Sequence, residues 1–222
     1  METIKTKKGY KGIGMEGPIA NWYAKTTLND LNRHKLMAKQ LVEKIPANGT
    51  VLEIAPGPGY FCIELAKLGA YQITGLDISK SFVEIARKNA AESGLRIDFR
   101  QGNASAMPFE GGTFDFTFCQ AAFKNFTEPV KAIAEMHRVL RPGGTAVIVD
   151  LRRDASPEEI EHEIKGMGLR RMDEVITRWT FKLMLLKTAY SISEMESMIA
   201  QTPFGKAKIN TGDIGFQVWM KK

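Results

Sequence analysis

Two glycines and one acid carry the first chemical signal in this chain. Gly57 and Gly59 stand in the run Glu53-Ile54-Ala55-Pro56-Gly57-Pro58-Gly59, and Asp77 follows Gly57 by 20 residues. Glycine between a strand and a helix lets the backbone turn and lets a ligand approach with no Cβ in the way. An acid at that separation ends the next strand, where its carboxylate meets a ribose diol. Two features speak against a dinucleotide. The third glycine of the pattern G-x-G-x-x-G would fall on Cys62, or on Tyr60 if the pattern opened at Ala55, and either side chain obstructs close helix–strand packing. Pro56 and Pro58 lack an N–H, which removes two donors from a loop that would have to hold pyrophosphate. A nucleoside without phosphates suits this loop better.

Those residues need elements to hold them. Val51, Leu52 and Ile54 predict a first strand, Phe61, Ile63, Leu65 and Leu68 the buried stripe of a helix, and Ile73 and Leu76 a second strand, together a βαβ half-unit. Before it, Pro18 opens a short helix carrying Trp22 and Tyr23, and a second helix spans about 29–44. After it come a helix over 79–93, with Ser81 and Glu84 at capping-box spacing and Gly94 as its stop, a strand at 97–99 and a fourth strand at 113–119. A helix over 129–140 leads through Arg141-Pro142-Gly143-Gly144 into a doubly buried strand at 145–150. Ser156 caps a further helix, with Glu159 three residues on; helices over 173–188 and 193–200 and a hairpin of 206–210 and 214–220 close the chain.

Composition narrows the class. With 222 residues, 44% hydrophobic and 25% charged, the chain suits one globular domain with one sizeable core. The first residues carry charge without an apolar leader, and no run approaches the ~20 apolar residues of a membrane span, so a cytoplasmic protein is expected. The net charge of +6 is dispersed over residues 5–11, 170–187 and the C-terminal lysines, which does not make a nucleic-acid surface. Cys62 and Cys119 have no C-x-x-C or histidine cluster beside them and read as buried thiols, with neither disulfide nor metal.

The loop at residues 53–59 resembles the E/D-x-G-x-G-x-G loop of class I S-adenosylmethionine-dependent methyltransferases, with Ala55 in place of the first glycine, a change that requires negative φ at that position. GNASAMPFEGGTFDFTF is similar to the family's G-D-A-x-x-L-P-F-x-x-x-x-F-D segment, and EMHRVLRPGGTAVIVD to its E-x-x-R-V-L-K-P-G-G segment, so the resemblance runs from about residue 50 to 150. Phe123-Lys124-Asn125 resembles the Leu-Arg-Asn segment of quinone-ring C-methyltransferases within the type-11 group.

This resemblance implies an α/β, Rossmann-like, seven-stranded and mostly parallel sheet with helices on both faces and a C-terminal antiparallel hairpin. It implies one methyltransferase domain over 1–222, with an N-terminal lid and helices at 1–45, a cofactor-binding core at 50–150, a helical cap at 152–188 and the closing hairpin at 206–222. The cofactor implied is S-adenosylmethionine, released as S-adenosylhomocysteine, with no metal. Glu53, Ala55, Gly57 and Gly59 would take its methionine end and Asp77 its ribose. Ile78, Asn103, Ala104 and Ser105 would surround adenine, Asn103 standing where the family has an acid that accepts from the amino group.

The acceptor side rests on fewer residues. Gln120 and Phe123, after the fourth strand, would lie nearest the cofactor, and Lys124 and Asn125 would orient a substrate oxygen, Lys124 either as a desolvated base or as a plain solvated lysine. His137 lies on the apolar stripe of Val130, Ile133 and Leu140 and reads as a packed histidine. Tyr10, Trp22 and Tyr23 read as a lid or as ordinary packing. Gln120-Ala121-Ala122-Phe123 lacks the Asn/Asp-Pro-Pro-aromatic motif of base-methylating relatives, and Gln120 does not supply the acid of metal-dependent catechol-type ones. The second helix of the cap, with Val175, Ile176, Trp179, Phe181, Leu183, Leu185 and Leu186, has more apolar face than packing on the sheet requires. It would line an apolar substrate pocket with Arg152 or Arg153 at its mouth for an acidic or phenolate group, or else form a dimer face. The expected function is methyl transfer to a small molecule, apolar or aromatic, with the protein a monomer or homodimer; the alternatives are C-methylation of a prenylated quinone ring and a noncatalytic cofactor-binding protein.

Overall fold

Alternating strands and helices of this length have one compact solution, a parallel sheet with helices on both faces. The computed structural model describes residues 9–11, 14–28, 31–166, 188–212 and 214–222. Its elements are α1 (Gly17–Thr27), α2 (Leu31–Val42), β1 (Thr50–Ile54), α3 (Tyr60–Ala66), β2 (Gln72–Asp77), α4 (Lys80–Glu92), β3 (Asp98–Gln101), β4 (Phe114–Gln120), a 3-10 turn (Phe123–Asn125), α5 (Pro129–Val139), β5 (Leu140–Leu151), α6 (Pro157–Gly166), α7 (Ile192–Ala200), β6 (Lys208–Thr211) and β7 (Gly215–Lys221). The strands lie in the order β3-β2-β1-β4-β5-β7-β6; β7 runs antiparallel to both β5 and β6, and the other pairings are parallel. The seven-stranded, mostly parallel sheet with an antiparallel end was thus legible in the chain. The cap helix expected over 173–188, Phe181 included, lies outside the described residues but for its last position.

Strand alternation sorts the core into two layers. Val51, Phe116, Phe118 and Val147 face Ala38 and Leu41 of α2, Phe61, Cys62 and Leu65 of α3, and Val83 and Ala86 of α4. Leu52, Ile54, Cys119, Ala146 and Ile148 face Ile133 and Met136 of α5 and Met195 and Ile199 of α7. The order reverses between β1 and β4, since β1 leads to β2 on one side while β4 and β5 lie on the other. Ligands of open α/β sheets bind in the crevice outside the strand ends at such a point.

Local chemistry differs from expectation at several ends. Ser79, not Ser81, caps α4: its hydroxyl accepts from the Phe82 N–H at 3.0 Å, while Ser81 turns to Glu16. Leu68 lies beyond the end of α3 and is 38% exposed; Cys62 takes its place in the buried stripe. β5 starts at Leu140 because the Arg141-Pro142-Gly143-Gly144 turn is absorbed as an irregularity between Phe114 and Phe116 of its partner. α7 starts at Ile192, one residue before expectation, on a capping box of Ser191 and Glu194. Ser156 and Glu159 form the expected reciprocal pair before α6, at 3.2 and 2.7 Å.

Candidate active site

Asp77 ends β2 at the rim of the crevice. Its Oδ2 accepts from the Gly57 N–H at 3.0 Å and its Oδ1 from the Ser79 N–H at 2.9 Å, so one carboxylate ties the glycine turn to the start of α4. Burial pushes this carboxyl up to about 6, against the opposing pull of those two N–H groups. Glu53, on the β1 face that looks toward α3, receives the Cys62 thiol at 2.8 Å, and burial pushes it up to about 7. Burial likewise raises Cys62 and Cys119 well above ordinary thiols, the inert state expected of them.

The loop between them departs from expectation at one atom. Ala55 sits at φ 56°, in the left-handed region, so the expected negative φ is wrong. Its N–H reaches the Leu76 carbonyl at 2.8 Å, and that bond holds the strained backbone in register. An L-residue costs roughly 1–2 kcal/mol there. The two glycines do different work. A Cβ on Gly57, at φ 54°, would meet nothing within 4 Å, leaving the backbone open to a ligand. On Gly59 it would strike Phe99 at 2.9 Å and Ala86 at 3.0 Å, so Gly59 lets the helix pack on the sheet.

The residues expected around adenine lie close to one another. Asn103 Oδ1 accepts from the Ser105 N–H at 2.9 Å, Ser105 Oγ donates to the Glu128 carbonyl at 3.2 Å, and Ala104 packs on the core below. Gly9 lies against Ile78 and Asn103 so closely that a Cβ on it would come within 2.7 and 2.8 Å of their side chains. Gly9 begins an N-terminal strap. Tyr10 bridges to Phe126, the Lys11 N–H donates to the Asn125 carbonyl at 2.7 Å, and at its far end Glu16 accepts from the Lys80 and Ser81 N–H groups, both at 3.0 Å. Burial raises the Tyr10 hydroxyl above an ordinary phenol, and Tyr23, Asp77 and Asp150 add to the shift. Tyr10 is half-buried where it bridges to Phe126. Tyr23 packs edge-on against Phe82 at 5.7 Å, whereas Trp22 is 65% exposed on α1, which corrects its expected place in the lid.

The acceptor side also needs correction. Lys124 is neither solvated nor a free base: Nζ donates to Asp150 Oδ1 at 2.9 Å and to the Ala121 carbonyl at 2.7 Å, while its N–H donates to Asp150 Oδ2 at 3.0 Å. It anchors the loop after β4 to the end of β5. Asn125 contributes its backbone carbonyl to the strap. Gln120 Oε1 is buried without a partner at the end of β4. Phe123 is fully buried between Phe126 and Tyr190, at 5.4 and 5.8 Å between ring centroids. Arg152, expected at a pocket mouth, is buried against Glu159 and Asp154 and is not available there, while Arg153 pairs with Glu194 at the exposed surface. His137 packs edge-on against Phe204 at 4.8 Å, and burial lowers its pKa. Sequence reasoning missed Gly9, Lys11, Glu16, Asp150 and Tyr190. Only Asp150 carried a signal, as an acid at a strand end like Asp77.

Fold and site together make a doubly wound α/β protein with a buried strand-end acid and an open glycine turn at the switch point. Residues 52–148 match the family model described as a methyltransferase domain. The chain is similar to the demethylmenaquinone methyltransferase of Deinococcus radiodurans, 36% identical over 107 residues that cover 48% of this chain and 44% of that one. The ubiquinone/menaquinone biosynthesis C-methyltransferase UbiE of Geobacter sp. strain M21 is 31% identical over 160 residues, 68% of each chain. A crystal structure of a candidate S-adenosyl-L-methionine-dependent methyltransferase from Methanococcus maripaludis superposes with a TM-score of 0.76 at 22% identity over 96% of this chain and 95% of that one. The chain belongs to the S-adenosylmethionine-dependent methyltransferases. It spans about half the length of several curated relatives that it matches. No helix among the described residues is long and apolar enough to cross a membrane.

Proposed function

We propose that the protein transfers a methyl group from S-adenosylmethionine to a small, aromatic or apolar acceptor. The carrying observation is Asp77, a buried strand-end carboxylate whose oxygens are aimed by two backbone N–H groups beside an open glycine turn. The remaining donors and acceptors fit the same cofactor. Asp77 takes the ribose hydroxyls, Glu53 and the backbone of Ala55, Gly57 and Gly59 the methionine end, and Ile78, Asn103, Ala104 and Ser105 the adenine. Gln120, with its unpartnered Oε1, is left for a polar hydrogen of the ligand. When bound, the cofactor supplies an activated sulfonium methyl, so the protein's task is positioning a nucleophile in line with it. Tyr190, backed by the buried Phe123, supplies an aromatic wall for the acceptor, the Lys124–Asp150 pair fixes the loop that carries Phe123, and the Tyr10 strap keeps water from the crevice.

A quinone ring is the particular acceptor favoured, since the relatives are named a demethylmenaquinone methyltransferase and a ubiquinone/menaquinone biosynthesis C-methyltransferase. The test is incubation with labelled S-adenosylmethionine and either a demethylated menaquinol or a metabolite extract, followed by mass spectrometry of labelled products. Labelled menaquinol supports the narrow reading, and a different labelled small molecule the broad one. Cofactor binding with no S-adenosylhomocysteine released from any acceptor would establish the noncatalytic alternative.

A further inference from the structure

Cations near the crevice differ in one respect. Arg152, Arg153 and Lys124 each hold a carboxylate: Glu159 and Asp154, Glu194, and Asp150. Lys11 makes no ion pair among the described residues. Its Nζ donates to the Tyr190 hydroxyl at 2.8 Å and lies 5.0 Å from the centroid of the same ring. A neutral phenol oxygen satisfies an ammonium less fully than an ionised oxygen does, and two of the three N–H donors on a lysine remain.

Its position is fixed from both sides. The Lys11 N–H is bonded to the Asn125 carbonyl on the loop after β4, and the Tyr190 ring stands 5.8 Å from that of Phe123 on the same loop. The Tyr190 carbonyl receives the Arg153 N–H at 3.1 Å, which holds this residue to the end of β5. Lys11 and Tyr190 therefore meet over the acceptor end of the crevice, while Gly9 covers Ile78 and Asn103 at the other end. Between these ends Tyr10 bridges to Phe126.

Resting on the methyl-transfer reading above, we propose that Lys11 and Tyr190 form a recognition site for an anionic oxygen, phenolate or carboxylate, on an aromatic acceptor. The acceptor ring lies along Tyr190, whose ring is backed by Phe123, and its oxygen receives hydrogen bonds from Lys11 Nζ and, once that ammonium turns to it, from the Tyr190 hydroxyl. The role first expected of Arg152 or Arg153 thereby passes to a lysine on the N-terminal strap.

Calorimetry on the whole protein tests this with 2-naphthoate against the neutral 2-naphthylmethanol, and with 4-nitrophenolate against 4-nitroanisole. The unsubstituted protein should bind each anion about tenfold more tightly than its neutral analogue, an advantage that shrinks with added salt. Lys11→Met should abolish that advantage with little change for the neutral probes, Lys11→Arg should keep it, and Tyr190→Phe should reduce it several-fold. The larger effect between the two pairs tells carboxylate from phenolate. Equal affinity for anion and neutral analogue in the unsubstituted protein, or an equal loss for both in Lys11→Met, overturns the proposal and leaves the pair a structural latch. Should Lys11→Met not fold, Lys11→Arg and the salt dependence still decide. Failure of the methyl-transfer reading shows separately, as loss of S-adenosylhomocysteine binding in the unsubstituted protein while the anionic probes still bind.

Discussion

Asp77 already accepts two backbone N–H bonds, and ribose hydroxyls add donors to lone pairs that remain on the same oxygens. Asp77→Ala should weaken S-adenosylhomocysteine binding by ~1.5–3 kcal/mol, one to two decades in Kd by calorimetry. An unchanged Kd in a folded variant would remove the ribose assignment. At Ala55 the left-handed backbone carries a side chain that a glycine would not, so Ala55→Gly should raise stability by about 1 kcal/mol in denaturant titration. Lys124 separates two accounts of the acceptor side. As the anchor of Asp150 its replacement by Met leaves a buried carboxylate without its cation, and Lys124→Met should lose about 3–5 kcal/mol of stability. A base with no anchoring role would lose turnover at unchanged stability.

Among the elements, the N-terminal residues 9–11 and 14–16 have the largest leverage for their number. A Cβ on Gly9 would crowd the side-chain ends of Ile78 and Asn103, which would have to shift, and Glu16 occupies N–H groups at the start of α4 that the helix itself leaves unpaired. Gly9→Val should lift the strap from the adenine side and speed S-adenosylhomocysteine release at least several-fold in stopped-flow measurements, with the core stability unaltered. A release rate equal to that of the unsubstituted protein would mean that the strap does not cover the cofactor. The end of α5 shows the opposite economy. Lys222 Nζ donates to the carbonyls of His137, Arg138 and Leu140 at 2.8, 3.3 and 2.7 Å, a cation closing a helix C-terminus from the far end of the chain.

Across the whole molecule, two raised carboxyls link binding to pH. In the folded protein Asp77 is pushed up to about 6 and Glu53 to about 7, so between about pH 4 and 7 the folded state holds more protons than the unfolded state. Stability of the free protein therefore falls as pH rises through that window. A ligand whose hydroxyls and ammonium group favour the ionised carboxylates acts in the opposite sense. Its affinity rises as pH rises through the same window. The increase in Tm caused by a fixed excess of S-adenosylhomocysteine should thus be larger at pH 8 than at pH 5.5. Equal shifts at the two pH values would mean that neither carboxyl meets the cofactor.

The chain by itself determined the alternation of strands and helices, the glycine turn, the acid ending the second strand and the antiparallel end of the sheet, because each depends on periodicity, glycine placement or spacing within about 30 residues. Ser79 displaced Ser81 as the α4 cap since the competing hydroxyl was claimed by Glu16, more than sixty residues earlier. Ala55 took a left-handed backbone because the turn and its bond to Leu76 outweigh the local preference of alanine. Lys124 became an anchor, Arg152 an interior ion pair and Lys11 a rim cation for one reason. A charged side chain looks alike in sequence whatever carboxylate awaits it, and only the tertiary structure brings Asp150, Glu159 or Tyr190 within reach.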